Sequence, residues 1–322
     1  MTHTHEFKIT GQQLIGLTLI PLTLTGLICN STVVLATYRI RSLSPSFAFL
    51  TGFLASFDLF FNIIYFGYMT PMIVFDLRLF KFYSYQSTFF LMIAYDAAME
   101  IHLIISLNRF FAVFTPVIYR RMFDLQKSQI YAALAARFTI TNITVYSKLV
   151  GCSISYNDEI WMLYYDNISQ LCLTYAWIID FFKNLSVATF DALISVITIT
   201  KVHATRRQIQ NSSSQKNKSA AVRKKELAFV KQTSVQGVLT LLAQGIYFYV
   251  PEMVTNKYLG FMLTTFLIAT LSTVDGMTAL IYNSEIRFWV FRRRIATDNQ
   301  RSTSIVISLG SREQRSQVTK TL

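Results

Sequence analysis

The residues of this chain that could do chemistry are ionisable groups set inside apolar runs. Asp58, Asp96, Glu100, His102, Asp180, Lys183, Asp191 and Asp275 each lie in a stretch otherwise dominated by apolar side chains. Inside a bilayer such a group is costly to hold. It therefore marks an ion path, a ligand contact or a polar tie between helices. Enzyme signatures are missing: there is no phosphate-binding glycine loop, no His/Cys metal spacing and no G-x-S-x-G elbow. The expectation is a protein that is not an enzyme, with no catalytic residue, no bound metal and no cofactor.

Positioning these groups requires long apolar elements, and the composition supplies them. The 322 residues are 52% hydrophobic and only 15% charged, with a mean hydropathy of +0.40. A water-soluble surface needs more charge than that. The chain therefore reads as a polytopic all-α membrane protein. Stretches of about 20 mostly apolar residues, the length of a spanning helix, fall at 9–38, 45–74, 86–111, 128–147, 173–202, 233–250 and 258–282. The fourth is the most polar, with Arg137, Thr139, Thr141, Asn142 and Thr144. The hydrophilic stretch 203–232 reads as a flexible loop feeding the sixth run. After the seventh run, Ile286, Phe288, Trp289 and Phe291 alternate with Arg287 and Arg292 to Arg294, the pattern of a short interfacial amphipathic helix. No leader peptide and no internal repeat is expected. The organisation is 1–10 as an extracellular N-terminus, 11–283 as a seven-helix domain and 284–322 as a cytoplasmic tail.

Charge orients the bundle. Most of the 30 Lys and Arg follow the first, third and fifth runs or lie in the tail. Basic loops stay on the cytoplasmic side, so the N-terminus is expected outside. The net charge of +13 then reflects contact with anionic membrane lipid, not nucleic acid. Cys152 and Cys172 bracket the long loop 149–171, which falls outside, where two thiols can pair. Asn167-Ile168-Ser169 in that loop is a glycosylation sequon.

Two readings stand for each polar group in the spans. Asp58, with Asn30, Asp275 and Asn283, anchors a buried water or cation network, or only ties helices together. Asp96 lines a ligand cavity with Met92 and Tyr95, or contacts a cation such as Arg137 or Lys183 on another helix. His102 reads as a core imidazole with a partner. Arg109 ends the third run in Asn108-Arg109-Phe110; it either snorkels to the interface or changes partner as helices move, using its fork of donors. The seventh run has no Lys, which excludes a retinal Schiff base there.

Several stretches in order resemble the nematode serpentine receptors of class X, a chemoreceptor family of seven-helix G-protein-coupled receptors. They are Gly26 to Asn30, Leu54 to Asp58, Asn108-Arg109-Phe110 with Pro116 and Tyr119, Gly151-Cys152 with Tyr156, Trp161 and Cys172, Asp180 to Asn184, Phe229 to Gln232 with Gln236-Gly237, and Asp275-Gly276 with Tyr282 to Arg287. The resemblance implies a chemosensory receptor in the plasma membrane, or in the cilium of a chemosensory neuron. It would bind an external small-molecule ligand and activate a heterotrimeric G protein through Asn108, Arg109, Phe110 and Tyr119. Three features depart from the pattern: Asn108 stands where related receptors have an acid, the third run has no outer Cys, and the fourth has no Trp. The rival reading is a transporter or ligand-gated channel using Asp58, Asp96, Asp180 and Asp275 as an ion path; the odd helix number and missing repeat oppose it.

Overall fold

In the computed structural model the described residues are 10–40, 43–166, 169–210, 217–249 and 253–290. Among them, seven long helices account for the apolar runs. Helix α1 is Gly11–Arg39, α2 is Pro45–Val74 and α3 is Ser84–Phe114. Helix α4 is Leu125–Thr144, continued by a π-helical turn at Val145–Leu149. Helix α5 is Gln170–Thr205 as a candidate span, extending to Gln210. Helix α6 is Asn217–Tyr249 and α7 is Lys257–Tyr282. Five of these, α1, α2, α3, α5 and α7, are long and apolar enough to cross a membrane.

Local chemistry sets the ends. Thr10 and Gln13 form a reciprocal capping box at α1. Asp124 accepts from the Lys127 amide, 2.7 Å, to start α4. Pro116 cannot continue α3, so the chain turns at Thr115 and restarts as a short helix, Pro116–Met122. After α7, residues 284–290 form the helical start of the expected amphipathic segment. Ile286 is buried against Val33, Ala36, Ala55 and Ala279, while Phe288 faces outward. Residues 291–296 of that segment lie outside the described residues.

The packing is inverted relative to a water-soluble protein. Leu14, Ile28, Ile63, Phe190, Leu193 and Leu242 face outward, while Thr23, Asn30, Asp58, Asn62, Asn108 and Asp191 are buried. So much exposed apolar surface needs a nonaqueous surrounding, and polar groups inside tie helices that lipid alone would not press together. Helix α4 packs on α2 and α3.

One expectation needs correcting. The stretch 203–232 is not mainly loop: α5 continues to Gln210 and α6 starts at Asn217, because polar residues outside the apolar layer still propagate a helix already nucleated within it. The long polar loop also has structure. Strand β1, Ile154–Asn157, pairs antiparallel with β2, Met162–Tyr165, in register Ile154 to Tyr165. Its turn is fixed by Asn157, whose Oδ1 accepts from the Glu159 and Ile160 amides at 2.7 and 3.3 Å.

Candidate functional site

Helix α3 carries polar side chains at three depths, each tied to other helices. Nearest the hairpin, Asp96 is buried and receives Lys183 of α5 as an ion pair. Asn184 donates to the other Asp96 oxygen at 2.9 Å. Asp180 accepts from Tyr165 of β2 at 2.7 Å, which joins the hairpin to α5. Tyr95 donates to Gln244 of α6 at 2.6 Å. Met92 packs against the cluster of Tyr146, Ala176 and the disulfide-bonded Cys152 and Cys172. Asp96 thus pairs with Lys183; Arg137 lies elsewhere, on the exposed face of α4. The cluster sits where helices bulge: π-helical turns occur at Tyr65–Met69, Val145–Leu149, Ala176–Phe182 and Met262–Phe266. Such turns re-aim side chains and frequently accompany functional sites.

The hairpin covers this end. Gln12 of α1 donates to Tyr156 at 3.0 Å and Asp158 at 3.2 Å. Lys81 pairs with both Asp76 and Asp158. Ser84 accepts from the Tyr156 amide at 3.0 Å, and Trp161 meets Tyr258 of α7 edge to face, centroids 5.1 Å apart. Partial burial alone would depress the Lys81 ammonium, but its bonds to Asp158 and Asp76 outweigh that and hold it above the ordinary lysine value.

At mid-depth His102 Nε2 lies 2.9 Å from Asp275 of α7. Asp58 is buried beside them: one cavity is lined by Asp58, His102, Ser272 and Asp275, and a second by Asn30, Asp58, Gln236 and Asp275. Asn30 donates to the Ser272 carbonyl at 2.9 Å. Asn62 donates to the Asp58 carbonyl at 2.8 Å and to Ser272 Oγ at 3.1 Å. Gly276 makes the approach of α1 to α7 possible, since a Cβ there would stand 2.6 Å from Asn30 Oδ1. Gly237 of α6 does the same for Asp191 of α5, whose Oδ2 would lie 2.5 Å from an added Cβ. Asp191 in turn accepts from Ser106 of α3.

Of the four residues grouped in the intramembrane network, Asn30, Asp58 and Asp275 come together. Asn283 does not. Its Oδ1 accepts from the Glu285 and Ile286 amides at 3.1 and 3.2 Å, so it caps helix 284–290. A residue two turns beyond Asp275 falls past the bend, where the orphan amides of the next helix compete for its amide oxygen.

At the far end Asn108 donates to Ser46 of α2 at 3.0 Å, and Ser46 meets Ser128 of α4 at 2.6 Å. Arg109 is 8% exposed and lays its guanidinium 3.6 Å from the Phe47 ring centroid, a cation–π arrangement. That is a packed position, not a snorkelling one. Phe110 stacks on Phe114 at 4.5 Å, and Tyr119 meets Ser44 at 3.2 Å. Asn167 lies outside the described residues. Sequence reasoning missed Asn62, Ser272, Gln244 and Tyr165. Asn62 carried a usable signal, being one turn from Asp58 on the same face; the others are joined only by the fold.

A ring of seven helices with a polar interior, a hairpin closing one end and a packed arginine at the other defines a heptahelical membrane receptor. Squid rhodopsin has the same fold: its crystal structure superposes with a TM-score of 0.66 at 16% identity, covering 89% of this chain and 87% of that one. Residues 20–283 match the model of the serpentine type 7TM GPCR chemoreceptor Srx, and the chain belongs to that family. Serpentine receptor class X 45 of Caenorhabditis elegans is 26% identical over 281 residues, 81% of this chain and 76% of that protein. Serpentine receptor class X-43 of the same organism is 23% identical over 213 residues, 63% of each. The protein is a multi-pass G-protein-coupled chemosensory receptor. The comparisons support this reading and not the transporter or channel.

Proposed function

We propose that the hairpin end faces the exterior and the Arg109 end the cytoplasm, with residues 1–10 outside, 284–322 inside and the receptor in the plasma membrane of a chemosensory cell or its cilium. An external small molecule binds beneath the hairpin, contacting Met92, Tyr95 and Asp96. Its polar group competes with Lys183 or Asn184 for Asp96 and loosens the tie between α3 and α5. Binding stabilises the active arrangement only through higher affinity for it. The change passes along α3 through His102–Asp275 and Ser106–Asp191 to Asn108, Arg109, Phe110 and Tyr119. There Arg109 leaves Phe47 and contacts a heterotrimeric G protein.

The observation that carries this reading is the placement of Asp96, His102, Ser106 and Asn108 on one helix, bonded in turn to α5, α7, α5 and α2. The test is a chemical panel screened on cells bearing the full chain, with calcium or cAMP as readout. Asp96→Asn is then compared with wild type at matched surface level. The expected result is a loss of potency of tenfold or more, about 1.4 kcal/mol. Unchanged potency would remove Asp96 from the ligand site.

A further inference from the structure

Arg137 has no role in this polar core. It occupies the middle of α4, 12 residues from both Leu125 and Leu149, the outer limits of the helix and its π-helical turn. At 1.5 Å per residue that is roughly 18 Å from either end, within the hydrocarbon layer of about 30 Å. Its side chain is exposed. It takes part in none of the ion pairs among the described residues. Helix α4 buries Ser128, Ala132, Thr139 and Ile143 against the bundle. Arg137 lies on the opposite side with Ala133, Thr141 and Thr144, all exposed, at spacings of three and four. Ile130, Leu134, Phe138 and Ile140 border this strip. A guanidinium at mid-depth facing lipid is costly, and such groups are normally paired or turned inward. Small and hydroxyl side chains beside it allow another helix to approach closely.

We propose that the outer face of α4 docks a membrane helix of another protein, one carrying a carboxylate at mid-depth that pairs with Arg137. Charge complementarity selects this occupant over a second copy. The carboxylates of this bundle at comparable depth, Asp58, Asp96, Glu100, Asp180, Asp191 and Asp275, are all buried or half-buried, so a copy offers none on its outer surface. A symmetric pair of α4 faces would also set two Arg137 side chains against each other.

The test uses the full chain in lipid nanodiscs and a labelled 20-residue Leu/Ala helix with one central Asp, read by energy transfer. Matched helices with Asn or Leu at that place are controls. The Asp helix should bind wild type about tenfold tighter than the Leu helix, a difference of about 1.4 kcal/mol. That preference should vanish in Arg137→Leu, persist in Arg137→Lys, and pass to a Lys-bearing helix in Arg137→Glu. Thermal melting of each variant checks folding; Arg137→Lys and the Lys-helix swap carry the test if Arg137→Leu misfolds. Equal binding of the Asp and Leu helices to wild type would overturn the proposal and leave Arg137 to lipid phosphate. Energy transfer between differently labelled copies that depends on Arg137 would also overturn it, in favour of self-association.

Discussion

His102 Nε2 lies 2.9 Å from the Asp275 carboxylate and thereby joins the middle of α3 to the middle of α7. Around this contact sit Asp58, Asn30 and Ser272; Asp275 borders both of the cavities described and His102 borders one of them. Asp275→Asn keeps the shape of the side chain and removes its charge. The expected outcome is a change of several-fold in basal nucleotide exchange on the G protein, with surface level held within about twofold. Wild-type basal exchange and an unchanged melting curve would remove this contact from the switch.

The Asp96–Lys183 pair joins a buried carboxylate to a half-buried ammonium, so removing Lys183 leaves the Asp96 charge uncompensated. Lys183→Met is expected to destabilise the receptor by about 3–5 kcal/mol, seen as lower melting temperature in detergent. Asp96→Asn combined with Lys183→Met removes both charges and should recover much of that loss. A double variant as unstable as the sum of the single ones would show that the two residues do not act as a pair.

Gly276 is a matter of space. A methyl group there meets Asn30 at 2.6 Å from Oδ1 and 3.0 Å from the backbone nitrogen. Backbone cannot yield as a side chain can, so Gly276→Ala should cost about 1–3 kcal/mol by overpacking and reduce the amount reaching the cell surface. Asn30→Ala relieves the side-chain part of the clash, and the pair of substitutions should be less than additive. Full surface level for Gly276→Ala would contradict the packing described between α1 and α7.

The Cys152–Cys172 bridge closes a loop of 20 residues that contains the hairpin. Removing it should cost about 3 kcal/mol on a chain-entropy basis, and Cys152→Ser should match the double variant, since each abolishes the same bond. Quantitative surface labelling and ligand potency would be compared for wild type, Cys152→Ser and the double variant. A single variant with wild-type melting and potency would contradict a structural bridge.

Lys81 supplies the pH expectation. Burial is the largest single influence and lowers its folded-state value, but the bonds and charges of Asp158 and Asp76 together outweigh it and raise that value above the ordinary 10.5. A raised cationic group adds stability that is fully present below the unfolded value and is lost as pH rises through the folded one. The contribution of this residue should therefore stay constant from pH 6 to about 9 and fall only above about 10.5. Thermal melts of wild type and Lys81→Met across that range should differ by a constant amount up to about pH 9. A difference that shrinks between pH 6 and 8 would contradict it.

The helical framework was readable because lipid demands long apolar stretches, and α1, α2, α3, α5 and α7 meet that demand. Helix α4 was readable only as a polar run: its Thr139 is buried against the bundle, and neighbours supply what its composition lacks. The hairpin left little periodic trace, since β1 and β2 have four residues each and only the Asn157 turn marks their reversal. Spacing along one helix placed Asp96 and Arg109 at different depths. It could not choose Lys183 over Arg137 as the partner of Asp96, because that choice depends on which face of α4 and α5 turns inward. Asn283 misled for a similar reason: nearness in sequence to Asp275 said nothing of the bend that separates them.

In the proposed function Arg109 is the transmitting residue, and its replacement bears on that role most directly. Ligand-evoked G-protein activation would be compared between wild type and Arg109→Ala at equal surface level, with ligand binding measured on the same membranes. The expected result is binding within about threefold of wild type together with loss of most G-protein activation. Full activation by Arg109→Ala at that surface level would contradict a transmitting role for Arg109.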